Sequence, residues 1–177
     1  MSGLPTTATA INTSWLTTEL RTGGAITAGT TVTGVEVEPM AAGVGFMGEV
    51  ARLRLMYTGG TGPATMIAKI PTQNPEVRQM LAAARVFERE ARFYLDLAPQ
   101  FDFVARAHRV AADFTADEYV LLLEDLGHMR IGDQAAGASV DDAAAALVAL
   151  AGLHAAFWKS PRLDAITWMP LCNADGM

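Results

Sequence analysis

A glycine-rich stretch in the first third of the chain constrains the fold more than any other feature. Residues 41–55 read AAGVGFMGEVARLRL, in which the glycines precede alternating apolar and basic residues, the period of a β-strand. The spacing is Gly43-x-Gly45-x-x-Gly48-x-Val50. Glycines let the backbone approach phosphate oxygens closely, because no Cβ holds it away. The stretch predicts a phosphate-binding turn that leads into a strand.

The segments around the glycines distinguish the two folds that use this spacing. A dinucleotide-binding unit needs the glycines to lead straight into a helix, with an acidic residue about 20 positions further on. Here a β-prone segment, Thr31–Glu38, precedes the glycines and a strand pattern, Val50–Tyr57, follows them. A Gly/Pro turn at 59–63 then leads to a third strand, Ala64–Ile70. The pattern predicts an antiparallel meander and excludes the dinucleotide-binding unit.

The rest of the sequence alternates helix and strand patterns. Pro75–Ala98 is predicted to be one amphipathic helix, and Val104–Ala112 and Tyr119–Leu123 are predicted to be strands. After a polar linker, Ser139 is predicted to open a second long helix, with Asp142 as its capping partner. The order predicts an α+β fold: an antiparallel sheet of about five strands with one helix, followed by the first helices of a helical lobe.

Composition and charge exclude some functions. A net charge of −6 over 177 residues argues against a nucleic-acid groove. The single cysteine, Cys172, excludes an internal disulfide and predicts a cytoplasmic protein. The longest apolar run without Asp, Glu, Lys or Arg, 143–158, is shorter than the roughly 20 residues of a membrane span, so we expect no membrane segment. Because this run is apolar on every face, we expect it to need a covering partner or a second copy.

Three further parts of the sequence suit a phosphate site. Lys69 ends an apolar strand, where an ammonium group needs a partner. On the following helix, Glu90 lies nearer the apolar face than Glu88, so Glu90 is the better partner and Glu88 suits a surface ion pair. The strand Tyr119–Leu123 then runs into the polar segment 124–126, whose backbone could bind an adenine edge. Each part alone could be a flexible hairpin, a strand-end lysine or an acidic turn, but their order favours one nucleotide site.

Several motifs resemble those of the aminoglycoside-phosphotransferase-like kinases, and most closely the ecdysteroid-kinase-like (CHK) branch. They are GVGFMGEVARLRL, IAKIP, FEREARFYLDLAP, YVLLLEDLG and LAGLHAAFWKSP. The resemblance implies a nucleotide lobe at 1–126 and an incomplete helical substrate lobe at 127–177. It also implies ATP and Mg²⁺ as cofactors and a small-molecule alcohol as acceptor. The nucleotide-binding residues would be Gly43, Gly45, Phe46, Met47, Gly48 and Val50 in the turn, the pair Lys69 and Glu90, and the hinge residues Glu124, Asp125 and Leu126.

The catalytic loop that this resemblance implies is not found in the sequence. Phosphoryl transfer needs an aspartate beside the attacking hydroxyl, and an asparagine and a second aspartate that hold the metal ions. His128-x-x-x-x-Asp133 lies too early and lacks the asparagine, and no catalytic loop precedes Asp175-Gly176. We therefore expect an N-terminal fragment of a small-molecule kinase, with no catalytic or metal-ligating residue. A non-catalytic nucleotide-binding or interaction module and a non-functional gene fragment remain alternatives.

Overall fold

The computed structural model describes residues 3–40, 47–130, 132–133 and 135–169, which form two compact units. The first unit runs to Gln100 and resumes at Val104–Leu126, and the second contains Phe101–Phe103 and the residues from Gly127 onward. The helices and strands of the first unit are α1 (Thr13–Thr22), β1 (Thr31–Met40), β2 (Gly48–Thr58), β3 (Thr65–Pro71), α2 (Pro75–Ala83), α3 (Val86–Arg92), β4 (Ala107–Asp113) and β5 (Glu118–Glu124).

The five strands form one sheet in the order β1-β2-β3-β5-β4, and every neighbouring pair is antiparallel. Val50 of β2 lies opposite Lys69 of β3, and Lys69 lies opposite Leu121 of β5. The meander β1-β2-β3 follows from short connections and period-2 patterning, both of which are visible in the sequence. The predicted α+β class with a five-stranded antiparallel sheet is confirmed.

One face of the sheet carries an apolar core beneath α1. Leu53 and Met66 on this face are fully buried, and Leu16 and Leu20 of α1 pack against them. Burial of each such side chain stabilises the fold by about 1.5–3 kcal/mol. These contacts hold α1 against this face of the sheet.

The opposite face packs against α2 and α3. Leu81 of α2 and Phe87 and Ala91 of α3 contact Val110 and Leu121 of the sheet in a second apolar cluster. Because side chains alternate along a strand, this face also carries Lys69. The cluster fixes α3 beside that lysine.

The prediction of one continuous helix over Pro75–Ala98 is wrong. The helix breaks at Arg85, which takes the left-handed conformation with φ 51°. Leu81 and Phe87 are both buried, yet on a straight helix, at 100° per residue, they would point about 120° apart. The break lets both face the sheet. Beyond α3 the chain continues as a π-helical turn and a short 3-10 turn, which end at Gln100.

The second unit is dominated by the helix α4 (Val140–Phe157). The predicted capping pair is confirmed, because the Ser139 hydroxyl accepts from the Asp142 N–H and the Asp142 carboxylate accepts from the Ser139 N–H. No residue of α4 is buried. By length and composition alone α4 could cross a membrane, with a mean hydropathy of 1.5, although such properties are weak evidence. The absence of a membrane segment and the association surface remain predictions.

Candidate functional site

A hydrogen-bonded ion pair joins the third strand to helix α3. Lys69 Nζ donates to Glu90 Oε1, and the two side chains are 36% and 32% exposed. An ion pair this exposed adds about 1 kcal/mol or less to stability. The break at Arg85 starts α3 in the register that turns Glu90 toward β3. The structure thus brings together the lysine and the glutamate that the sequence pattern singled out.

Glu88 occupies the other side of α3. Its carboxylate accepts from Arg85 Nη2 at 2.6 Å and from Arg92 Nε at 2.7 Å. These hydrogen bonds, chiefly the one from Arg85, lower the pKa of Glu88 to about 2. The Arg92 guanidinium also lies 4.2 Å from the centre of the Phe114 ring. The two ion pairs lie within α3 and its first cap, Arg92 also reaches Phe114 beyond β4, and Glu90 is left as the acid that faces Lys69.

The last glycine of the turn lies in very close contact with β3. A Cβ on Gly48 would lie 2.2 Å from the carbonyl oxygen of Ile70. Any other residue at this position would therefore force the backbone to move. Next to it, the Thr72 N–H donates to the Met47 carbonyl at 3.0 Å. These contacts fix the end of the turn within a few residues of Lys69. Gly43, Gly45 and Phe46 lie outside the described residues.

The N-terminal segment holds the same turn from the other side of the sheet. The Ala8 N–H donates to the Glu49 carboxylate at 2.7 Å. Sequence reasoning missed this contact, since 41 positions separate the two residues and no local pattern links them. The hydrogen bond ties the chain before α1 to the first residues of β2.

A cavity of about 250 Å³ lies between the end of the glycine turn, β3 and α3. Burial raises the pKa of the Tyr119 phenol in its wall, and the negative charge of Asp117 adds to the effect, so the phenol stays neutral at physiological pH. No residue of the segment Glu124–Leu126 is among its described lining residues. Of the predicted site residues, Met47, Gly48, Val50, Lys69 and Glu90 line the cavity, together with Glu49, Ile70, Pro71, Val86, Phe87, Tyr119 and Leu121.

The last residue of β5, Glu124, and the residue after it, Asp125, are each bonded to a neighbouring part of the sheet. The Glu124 N–H donates to the Arg106 carbonyl at 2.8 Å, and the Glu124 carboxylate accepts from the Arg106 N–H at 3.1 Å. The Asp125 carboxylate accepts from Arg52 Nε at 2.7 Å. The sequence pattern placed Arg52 only on a polar strand face and gave no sign of this partner.

The described residues fit a phosphate group better than a metal ion. Lys69 supplies a positive charge at the cavity, beside the end of the glycine turn, where the backbone of Gly48 packs directly against the Ile70 carbonyl of β3. Among the described residues, no group of three or more His, Cys, Asp or Glu side chains is placed to hold a metal ion. Any Mg²⁺ would therefore rely on the phosphates and on residues other than these.

The arrangement defines a class of protein. An antiparallel sheet whose third strand carries a lysine bonded to a glutamate on α3, with a glycine-rich sequence between its first two strands, is the arrangement of the N-terminal lobe of a protein-kinase-like fold. The model of the ecdysteroid kinase-like family matches residues 42–163, and the chain belongs to this family. Comparisons with curated proteins and with solved structures gave no significant match. The family assignment indicates a small-molecule kinase and confirms the resemblance found in the motifs.

Proposed function

We propose that this lobe binds ATP for the transfer of a phosphoryl group to a hydroxyl of a small molecule. The observation that carries the proposal is the hydrogen bond between Lys69 and Glu90 beside the end of the glycine turn. A lysine held in this way presents its charge to the α- and β-phosphates, and the glutamate keeps it from rotating away. The close packing of Gly48 against β3 fixes the end of the turn that would lie over the phosphates.

The base would lie toward the segment after β5. Val50 and Ile67 offer it an apolar surface on the face that carries Lys69. Because the Glu124 N–H is already bonded to Arg106, the base edge would meet backbone groups of Asp125 and Leu126.

Catalysis needs groups that we assign to no residue of this chain. Neutralisation of the charge that develops during transfer is the chemistry that bound Mg²⁺ would supply. The sequence contains no His-x-Asp loop with a following asparagine, so nucleotide binding is the property to test in this chain. The acceptor remains open among amino sugars, sterols, choline and other alcohols, since the overall charge is too blunt to select one.

Calorimetric titration with ATP, with and without Mg²⁺, tests the proposal. The substitution Lys69→Ala removes the ammonium group. It should weaken ATP binding about 10- to 100-fold, because one hydrogen bond between charged groups is lost. The control is Lys159→Ala, which removes the other lysine of the sequence and should leave the affinity unchanged. Equal affinity of wild type and Lys69→Ala would contradict the phosphate site, as would the absence of ATP binding to the wild type.

A second candidate is a non-catalytic nucleotide-binding or interaction module. The absence of a catalytic loop in the sequence and the lack of buried residues in α4 favour it. It predicts ATP affinity that is the same with and without Mg²⁺, together with an oligomer in sedimentation experiments. A non-functional gene fragment, the third reading of the sequence, predicts neither ATP binding nor a defined oligomer.

A further inference from the structure

Arg52 lies on the same face of the sheet as the candidate nucleotide site. In β2 it follows Val50 by two positions and lies opposite Ile67 of β3, so all three share the face that carries Lys69. Since β3 lies between β2 and β5 in the sheet, the side chain of Arg52 crosses β3 to reach Asp125 beyond the end of β5. One side chain thus links the strand after the glycine turn to the predicted hinge.

The contact between Arg52 and Asp125 is bidentate and largely shielded from water. Arg52 Nε and Nη2 lie 2.7 and 3.3 Å from the two carboxylate oxygens of Asp125. The side chains are 21% and 9% exposed. Arg52 Nη1 also lies 3.7 Å from the Glu38 carboxylate, so the guanidinium is held on two sides. The planar fork of an arginine suits such a fixed geometry, which a lysine does not reproduce.

The stability of the fold does not by itself account for a shielded ion pair of this kind. Loss of water around both charges offsets much of their attraction, and apolar residues of similar volume often stabilise a fold equally well. Such a pair does fix two segments in one relative position. Here those segments are β2 and the backbone at Asp125, which enclose the space where the proposed function places the base.

We propose that Arg52 is a positioning residue for the nucleotide base. Through Asp125 it holds the backbone of Asp125 and Leu126 at the distance from Val50 and Ile67 at which the base fits between them. The phosphates are held separately, by Lys69 and the glycine turn. This inference rests on the proposed nucleotide site and assigns part of its specificity to an ion pair that does not touch the phosphates.

Two probes separate the base from the phosphates: ATP and inorganic tripolyphosphate. In Arg52→Ala the affinity for ATP should fall about tenfold while the affinity for tripolyphosphate stays unchanged. Arg52→Lys should give a smaller loss, since it keeps the charge and loses the fork. The matched control is Arg54→Ala. Arg54 lies two positions further along the same face, is 52% exposed and bonds Glu38 rather than Asp125, so both affinities should match the wild type.

The outcomes distinguish this inference from the proposed function. An unchanged ATP affinity in Arg52→Ala would overturn the role of Arg52 and leave the nucleotide site intact. Equal losses for ATP and tripolyphosphate would also overturn it, because they would show a general structural effect. A wild type that binds neither probe would overturn the proposed function and this inference with it. If Arg52→Ala does not fold, as judged by circular dichroism, the affinities of Arg52→Lys for ATP and for tripolyphosphate are compared instead, with the same outcomes.

Discussion

On the sheet face beneath α1, Leu53 and Met66 are fully buried among apolar neighbours, whereas on the face beneath α3, Lys69 and Glu90 are 36% and 32% exposed. The first face contains a closed apolar core. The second contains the ion pair of Lys69 and Glu90, the cavity of about 250 Å³ and the pair of Arg52 with Asp125. The α1 face thus contributes mainly to stability, whereas the α3 face combines a second apolar cluster with the charged residues of the proposed nucleotide site.

The sharpest way to test this separation is to make a cavity in the closed face. Leu53→Ala should lower the free energy of unfolding by roughly 2–5 kcal/mol, because the site is fully buried and cannot collapse easily. The measurement is denaturant unfolding, and ATP affinity is measured under conditions where the variant is folded. We expect that affinity to stay within about twofold of the wild type.

A control on the same strand makes the comparison stricter. Met56 also lies in β2 but is 56% exposed, so Met56→Ala should change the free energy of unfolding by about 0.5 kcal/mol or less. If Leu53→Ala instead abolished ATP binding in the folded protein, the packing of the α1 face and ligand binding on the α3 face would not be independent.

Gly48 matters both for stability and for the candidate site. Its backbone packs against β3, and it also lines the cavity. The new methyl group of Gly48→Ala would clash with the Ile70 carbonyl at 2.2 Å and force the strands apart. We expect a loss of about 1–3 kcal/mol in the free energy of unfolding, together with weaker ATP binding. Thermal unfolding and calorimetric titration measure the two effects. Gly3→Ala, where no atom lies within 4 Å of the added Cβ, should change neither.

The smallest expected effect concerns the salt bridges within α3 and its first cap. The hydrogen bonds from Arg85 and Arg92 lower the pKa of Glu88 from 4.5 to about 2, so its ionised form stabilises the fold above pH 4.5. That contribution is lost as the pH falls from 4.5 through about 2, where the carboxylate takes up a proton in the folded state. Glu88→Gln should cost about 1 kcal/mol at pH 7.

The measurement for Glu88 is denaturant unfolding at a series of pH values. The difference between wild type and Glu88→Gln should shrink steadily between pH 4.5 and pH 2.5. The control is Glu118→Gln, the same substitution at the start of β5. A difference for Glu88→Gln that stays constant over this range would show that the arginine pairs do not stabilise the ionised carboxylate in the folded protein.

The parts of the fold that follow local rules could be predicted from the sequence. The meander β1-β2-β3 depends on alternation and short turns, and the start of α4 depends on the pair Ser139 and Asp142. The pairing of Lys69 with Glu90 was also foreseen, because an apolar strand that ends in a lysine requires an acid nearby. These inferences need only neighbouring residues or one helical face.

The parts that the sequence did not predict depend on tertiary structure. The break between α2 and α3 occurs at an arginine in the left-handed conformation, with no glycine or proline to mark it. Packing of both Leu81 and Phe87 against the sheet overrides the local preference for one helix. The contact of Arg52 with Asp125 spans 73 positions, so only the order of strands in the sheet brings the two together.

Hydrogen exchange with and without ATP locates the ligand on the chain. We expect ATP to slow exchange of the backbone amides at Gly48–Val50 and at Asp125–Leu126, and to leave the exchange of α4 unchanged. The Lys69→Ala variant should lose this protection at the same ATP concentration. Protection confined to α4, or no protection at Gly48–Val50 at saturating ATP, would contradict the assignment of the α3 face as a nucleotide site.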